Sequence, residues 1–381
     1  MKLHPIIADS PYQNKQAASI AKKILRFFHM DIFLLTSLIA LSAIGLFILF
    51  SAANQSWALV TQQLIRIALA FLVMIIFAQI PPNTYKNWAP WVFGFALILL
   101  FAVLIVGLVS KGAQRWINLG IFSFQPSEIM KLGMPMMLSY YLSDKRLPPS
   151  LKEIAISLAI LIVPTLLIAK QPDLGTALMV ATAGIFVLLL AGMTWRIIGL
   201  GAIASILSLP FLWHFLHSYQ KERVLTFFNP ERDPLGAGYH IIQSKIAIGS
   251  GGFLGKGWLQ GTQSHLHFLP EHATDFIFAV CGEELGFIGC TILLIIFSFI
   301  VARGLYISYR AHDSFTRLLS GSLILTFFMS FFVNIGMVTG ILPVVGLPLP
   351  LVSYGGTSMV TLMAGFGIIM SIHSHKKLIN T

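Results

Sequence analysis

Ten long apolar runs constrain the fold of this chain more than any other feature of its sequence. Each holds about 18 to 25 residues, enough for an α-helix to cross a hydrocarbon layer of ~30 Å. Their residues do not alternate between polar and apolar, as the strands of a membrane barrel do. The sequence therefore predicts an all-α, polytopic membrane helix bundle of about ten transmembrane helices, near residues 31–51, 58–79, 89–109, 127–143, 153–169, 174–191, 197–216, 285–305, 316–341 and 356–374.

The composition also favours lipid as the solvent. Of the 381 residues, 56% are hydrophobic and only 10% are charged, whereas a soluble domain carries roughly 25% charged residues. A water-soluble globule of this composition would expose large apolar patches. We divide the chain into a basic cytoplasmic tail over residues 1–29 and a single membrane domain over residues 30–381, which includes one long hydrophilic loop at 217–274.

The basic residues predict how the chain is oriented. With the N-terminus in the cytoplasm, the N-terminal basic cluster, Lys145, Arg146, Lys376 and Lys377 all lie inside, as the positive-inside rule requires. The basic residues of the loop at 217–274 do not oppose this orientation, because long loops cross largely regardless of charge. An even number of spans returns the C-terminus to the cytoplasm and leaves the long loop outside.

The formal net charge of +11 bears on the partners of the chain. It favours anionic membrane lipids and, outside, an anionic substrate, and it does not indicate nucleic acid. The glycine-rich stretch at 249–257 lacks the spacing of a dinucleotide site, and no Ser or Thr follows Lys256 as a P-loop requires. We interpret this stretch as a compact turn packed on the membrane domain.

Neither the histidines nor the cysteines predict a special site. His265 and His267 form a close pair without a placed third ligand, which is a weak metal signal. Cys281 and Cys290 would lie ~13 Å apart on a regular helix, too far for a disulfide. We interpret both cysteines as small core residues.

Candidate chemistry lies among the acidic residues near the outer half of the membrane, where ionisable groups are costly and usually functional. Glu128 and Lys131 are three residues apart and share a helix face, which suits either a structural ion pair or an anion site. Asp173 could cap the sixth helix or line a site. Arg115 could extend to the interface or bind an anion.

Asp275 is the strongest local candidate. It precedes a long apolar run, and we expect it to open a helix whose first turns, as far as Glu284, lie in the outer interface or a wet cavity. A carboxylate there could take a proton from a hydroxyl. The prolines at 343, 348 and 350 exclude regular helix, and we expect this apolar loop to form part of a cavity wall.

Six motifs follow one another along the chain. They are Lys111-Gly-Ala-Gln-Arg115-Trp116, Gln125-Pro-Ser-Glu128, Gln171-Pro-Asp173-Leu-Gly-Thr176, Asp233-Pro-Leu-Gly-Ala-Gly-Tyr239, Phe268-Leu-Pro-Glu-His-Ala-Thr-Asp275-Phe-Ile-Phe278 and Pro350-Leu-Val-Ser-Tyr-Gly-Gly356. In this order they resemble the motifs of the SEDS family of bacterial cell-wall polymerases (shape, elongation, division and sporulation). The resemblance extends over nearly the whole chain, and the stretch at 240–252 is more similar to the elongation branch than to the division branch.

The resemblance implies a peptidoglycan glycosyltransferase that polymerises lipid II into glycan strands at the periplasmic face of the inner membrane, for cell elongation and rod shape. It also implies a class B penicillin-binding protein, a transpeptidase, as partner. The essential acidic residue of the family falls on Asp275, and its buried cavity charges fall on Glu128, Lys131 and Asp173.

This chemistry defines the remaining candidates. The donor carries undecaprenyl pyrophosphate, a leaving group that needs no protonation, so Asp275 alone can serve as the base of an inverting transfer. Positive charge must then stabilise the departing phosphates. The candidates for this role are Arg115, Lys131, Lys170 and Arg223, with Mg²⁺ or Mn²⁺ held partly by an acidic residue as a further candidate.

The substrate-binding set also includes Glu271, four residues before Asp275, while the metal ligands are left open. Two other functions remain as alternatives at this stage. A flippase would carry the same lipid-linked precursor without bond chemistry. A scaffold would only activate the transpeptidase partner.

Overall fold

The structure, a computed structural model, describes residues 29–110, 113–118, 123–215, 218–232, 237–265, 268 and 271–375. The basic tail lies outside these residues except for residue 29. Lys111, His267, Lys376, Lys377 and residues 233–236 of one motif also lie outside them.

Each of the ten predicted apolar runs overlaps one helix, so the predicted membrane bundle is confirmed. Among the described residues, seven helices are long and apolar enough to cross a membrane, and two are shorter apolar helices. The helices are α1 (Ile32–Ala52), α2 (Trp57–Gln79), α3 (Pro82–Val106), α4 (Pro126–Ser143), α5 (Leu151–Lys170), α6 (Leu174–Leu190), α7 (Trp195–Phe215), α8 (Ser218–Phe228), α9 (Ala237–Gly251), α10 (Thr262–His265), α11 (Ile277–Tyr309), α12 (Ser314–Val338) and α13 (Thr357–Ser374).

The predicted hydrophilic loop at 217–274 contains three of these helices, α8, α9 and α10, and a short 3₁₀ turn at Pro230–Arg232. A small antiparallel sheet also joins α3 to α4. Its strands β1 (Leu108–Ser110), β2 (Ala113–Asn118) and β3 (Ser123–Phe124) follow one another in that order. The sheet and the loop helices lie at the end of the bundle where α2, α4, α6, α11 and α13 begin, which is the predicted outer end.

Helix α11 is broken at Gly286, where φ is 64° and ψ is −159°. The glycine-rich turn at 249–257 fills this break with backbone hydrogen bonds. The amides of Lys256 and Gly257 donate to the carbonyls of Glu283 and Glu284 at 3.0 Å, and the amide of Phe287 donates to Gly252. The turn therefore supplies partners for helical groups that the break releases. The predicted compact turn is confirmed over residues 252–257, whereas 249–251 are the last residues of α9.

Two predictions about the start of α11 are wrong. The helix begins at Ile277, and the residue in the cap position is Phe276, not Asp275. Glu283 and Glu284 are buried, at 0% and 2% exposure, instead of facing an interface or a wet cavity. The burial is tolerated because both carboxylates accept hydrogen bonds: Glu283 from Lys256 Nζ at 2.7 Å and Glu284 from Ser51 Oγ at 2.6 Å.

The spacing predicted for the two cysteines is also wrong. Cys281 and Cys290 are free thiols, and Cys290 Sγ lies 3.6 Å from where a Cβ on Gly282, the neighbour of Cys281, would stand. The estimate of ~13 Å assumed a regular helix. The non-helical backbone at Gly286 lies between the two residues and brings them together.

An ion pair links helices at the opposite end of the bundle. Asp31 caps α1 by accepting from the amide of Leu34 and pairs with Arg303 of α11 at 2.5 Å. His373 of α13 lies 3.3 Å from the same carboxylate. Burial alone would raise the pKa of Asp31, but the hydrogen bonds from Arg303 and Leu34 outweigh it and lower the pKa below its usual value. Three helices are thereby joined at this end.

The contact between the glycine turn and α11 generates a stability prediction. A Cβ on Gly251 would stand 1.9 Å from the carbonyl oxygen of Gly282, whereas a Cβ on Gly249 would meet nothing within 4 Å. We expect Gly251→Ala to destabilise the detergent-solubilised protein by on the order of 2 kcal/mol, because the helix break and the turn must separate.

Gly249→Ala is the matched control, and it should leave the melting temperature unchanged or slightly higher. Fluorescence-detected thermal unfolding measures both variants. Equal melting temperatures for the two would show that the turn does not depend on this close approach.

Candidate active site

Asp275 lies in the turn at 271–276, directly before α11, and is half-buried. Its carboxylate faces the proline-containing loop at 341–356. A Cβ built on Gly346 would lie 3.6 Å from Oδ2 of Asp275, and Gly346 has a φ of +75° that favours glycine. The loop therefore passes close to this carboxylate without a side chain between them.

The proline-containing loop forms the wall of a cavity, as predicted. One chamber opens between α4, α12 and α13, and a second opens between α4, α6, α12, α13 and this loop. The two chambers are adjacent, because they share the lining residues Lys131, Ser330, Ser358 and Leu362. Asp275 lines neither chamber, but it lies beside Gly346, whose neighbour Leu347 does.

Glu128 and Lys131 form a buried ion pair on α4. Lys131 Nζ lies 2.7 Å from Glu128 Oε1, and the two side chains are only 15% and 5% exposed. The second carboxylate oxygen of Glu128 is buried without a hydrogen-bond partner. The pair is structural in its geometry, yet both residues line the cavity, so the structure is compatible with either role weighed from the sequence.

Arg115 and Asp173 form a second pair, between strand β2 and the start of α6. Arg115 Nη1 lies 3.5 Å from Asp173 Oδ1. Asp173 also caps α6 through the amide of Thr176 and accepts from Gln125 Nε2 at 2.8 Å. Asp173 is thus a helix cap, and Arg115 is paired with it instead of extending alone to the interface.

Three further groups surround the turn that carries Asp275. Arg223 Nη1 donates to the carbonyl of Val344 at 3.3 Å, two residues from Gly346. Glu271 opens the turn with a φ of 53° and accepts from Thr274 Oγ1 at 2.8 Å. The ring of His240 stacks on Phe276 with 5.7 Å between centroids.

Sequence reasoning missed His240 as a member of this group. Burial lowers the pKa of His240; the charge of Glu271 opposes this shift, and the charge of Arg223 adds to it. The sequence signals for His240 are its position next to a motif that ends at Tyr239 and its place at the start of the stretch at 240–252. Its contact with Phe276 joins residues far apart in the chain, and hydropathy does not reveal such a contact.

Lys170 is the one predicted site residue that joins none of these groups. It is the last residue of α5 and is exposed. Within the described part of the chain it forms no ion pair. The same residues contain no group of three or more His, Cys, Asp or Glu placed to hold a metal ion.

Known proteins share this sequence and architecture. The peptidoglycan glycosyltransferase MrdB of Escherichia coli K12 is 52% identical over 353 residues, which cover 92% of this chain and 95% of that protein. The crystal structure of the rod shape determining protein RodA of Thermus thermophilus aligns with a TM-score of 0.69 and 28% identity, over 90% of this chain and 96% of that one. The predicted resemblance to the elongation branch is confirmed.

A third similarity comes from a structure that describes the coordination of polymerization and crosslinking by a peptidoglycan synthase complex. One of its chains aligns with a TM-score of 0.79 and 33% identity, over 90% of this chain and 97% of that chain. The family model of the FtsW/RodA/SpoVE cell cycle proteins matches residues 23–378. Because this match spans nearly the whole sequence, the chain is a multi-pass membrane protein that belongs to the FtsW/RodA/SpoVE family.

Proposed function

We propose that this protein is a peptidoglycan glycosyltransferase that polymerises lipid II into glycan strands, with Asp275 as the general base. One observation carries the proposal: the Asp275 carboxylate lies against Gly346 of the loop that walls a cavity containing Lys131. The name and 52% identity of the E. coli relative support the activity.

The reaction follows from the placement of the carboxylate. The 4-hydroxyl of the acceptor sugar gives its proton to Asp275 as its oxygen attacks the anomeric carbon of the donor. The bond from that carbon to the pyrophosphate oxygen breaks on the opposite face, which inverts the configuration. Undecaprenyl pyrophosphate leaves as an anion, so no second carboxyl group is needed to protonate it.

The cations differ in how well the geometry supports a role with the departing phosphates. Arg223 is the best placed, because its guanidinium contacts the loop two residues from Gly346. Lys131 extends into the cavity but is neutralised in part by Glu128. Arg115 is likewise paired with Asp173, and Lys170 remains a prediction from the sequence alone.

A divalent ion is a further hypothesis. Mg²⁺ is often bound by one or two carboxylates together with substrate phosphates, and Asp275 and Glu271 are the acidic side chains of the turn. Such an ion would neutralise charge on the departing pyrophosphate. Loss of polymerisation on adding EDTA, with recovery on adding Mg²⁺ or Mn²⁺, is the corresponding test.

The proposed setting is the inner membrane of a bacterium, with both termini in the cytoplasm and the Asp275 turn at the periplasmic face. The proposed partner is a class B penicillin-binding protein, which would crosslink the strands made here. The similarity to a chain of a peptidoglycan synthase complex supports this assembly.

The catalytic assignment makes the first functional prediction. Replacing Asp275 by Asn removes the base, so polymerisation of purified lipid II by the complex with its partner should fall at least 100-fold. Asp313→Asn is the matched control, because Asp313 caps α12 at the opposite end of the bundle. Gel analysis of labelled glycan strands measures both.

Binding of lipid II should survive Asp275→Asn, which separates chemistry from substrate recognition. Polymerisation at the wild-type rate by this variant would refute the enzyme assignment. If this variant also transported lipid II across vesicle membranes at the wild-type rate, the result would favour the flippase alternative. Wild-type growth of cells that carry only this variant would instead favour a scaffold.

The buried pair on α4 gives a prediction that separates structural from substrate-binding roles. Lys131→Met leaves the Glu128 charge buried alone and should destabilise the fold by ~3–5 kcal/mol. Adding Glu128→Gln should restore the melting temperature but not polymerisation, if Lys131 also binds substrate.

Lys86→Met is the control, because Lys86 pairs with Asp144 at the same 2.7 Å but in an exposed setting. Pairs of that kind contribute little to stability, so neither melting temperature nor activity should change. Full activity of the Glu128→Gln/Lys131→Met double variant would leave the pair with a structural role only.

The proposed orientation can be tested by labelling with an impermeant maleimide in a background without Cys281 and Cys290. A cysteine replacing Glu222, which is exposed on α8, should react in cells whose outer membrane is permeabilised. A cysteine replacing Lys145, in the connection between α4 and α5, should react only after the inner membrane is opened. The reverse pattern would overturn the orientation.

A further inference from the structure

The turn that carries Asp275 is hydrogen-bonded to residues outside its own helix. Three consecutive backbone carbonyls of this turn accept hydrogen bonds from residues much later in the chain. The amide of Tyr354 donates to Ala273 at 2.9 Å, and Ser353 Oγ donates to Thr274 at 2.6 Å. The side-chain amide of Asn334 donates to the carbonyl of Asp275 at 2.9 Å.

Asn334 makes a second hydrogen bond that reaches the cavity wall. Its Nδ2 also donates to the carbonyl of Leu347 at 2.7 Å. Leu347 follows Gly346, the residue beside the Asp275 carboxylate. One amide group therefore joins the backbone of Asp275 to the segment of loop that faces its side chain.

The surroundings of Asn334 fit this bridging role better than a role in packing. It stands inside α12, near the C-terminal end of the helix, where asparagine is a poor helix former. The residue is 0% exposed. Both hydrogens of its Nδ2 are donated to carbonyls, so Nδ2 and not Oδ1 is the side-chain atom that faces the turn and the loop. Its Oδ1 is buried without a partner, an arrangement that an apolar side chain would avoid.

We propose that Asn334 is a positioning residue for Asp275. By holding the Asp275 and Leu347 carbonyls together, it sets the distance between the carboxylate and the loop against which the acceptor sugar must lie. This inference rests on the proposed function, because it gives Asn334 a role only through the base. Base catalysis requires the carboxylate within hydrogen-bonding reach of the hydroxyl, so a displaced turn slows the chemical step and leaves substrate affinity intact.

The test compares the wild type with two variants of Asn334, each in the complex with its partner and with purified lipid II as substrate. Asn334→Leu removes both donors, and Asn334→Ser keeps one hydroxyl. We expect kcat to fall in the order wild type, Ser, Leu, by about tenfold or more for Leu, because a misplacement of about 1 Å at an active site costs on the order of 100-fold. The KM for lipid II should stay within about twofold for both variants, since the bridge does not bind substrate.

Ser322→Ala is the matched control. Ser322 lies on the same helix, is also fully buried, and donates to the carbonyl of Ala183 at 2.7 Å, away from the turn. It should lower the melting temperature as a buried hydrogen bond is lost, with kcat close to wild type. If Asn334→Leu does not fold, as thermal unfolding would show, Asn334→Ser carries the test, with at least a fivefold fall in kcat expected.

Two results would overturn the positioning role. One is an Asn334→Ser protein with wild-type kcat, and the other is a variant whose KM rises as much as its kcat falls. Failure of the proposed function is a separate outcome, because it would appear as polymerisation by Asp275→Asn. An inactive Asp275→Asn together with a fully active Asn334→Ser would reject only the positioning role.

Discussion

Backbone hydrogen bonding in the absence of water is the constraint on which this structure depends. A helix satisfies its own groups, but any irregular segment inside a membrane protein must find partners in the rest of the protein. Here the two irregular segments support functional geometry. The break at Gly286 is filled by the glycine-rich turn, and the loop at 341–356 is held by contacts with the turn at 271–276. The candidate base stands where that turn and that loop meet.

Charge pairing is the second condition that the apolar interior imposes. A buried ion is costly unless it is paired and hydrogen-bonded. Glu128 has a cationic partner on its own helix, whereas the partners of Asp173 and Glu283 lie on neighbouring elements. The result is a set of charges that is balanced locally at the end of the bundle where Asp275 lies. Arg223 contacts a backbone carbonyl of the loop that faces Asp275.

These two conditions link the fold to the proposed chemistry. A rigid irregular loop can approach a carboxylate closely where glycine leaves room, as Gly346 does beside Asp275. The same loop lines the cavity that contains Lys131. The Asn334 side-chain amide donates to the carbonyls of both Asp275 and Leu347. Ser353 and Tyr354 of the loop add two further hydrogen bonds to the same turn.

The sequence by itself determined the ten apolar runs that form helices and the acidic residues of interest, because hydropathy and rare charges in apolar runs are local properties. It also determined that the proline-containing segment is not helical, since proline removes backbone donors. It did not determine the break in α11 at Gly286, the burial of Glu283 and Glu284, or the close approach of Cys290 to the backbone beside Cys281. The pairing of Arg115 with Asp173 and the bridge from Asn334 to Asp275 join residues 58 and 59 positions apart. Only the tertiary structure decided such contacts, because a linear pattern records which groups need partners and not which partners the packing brings to them.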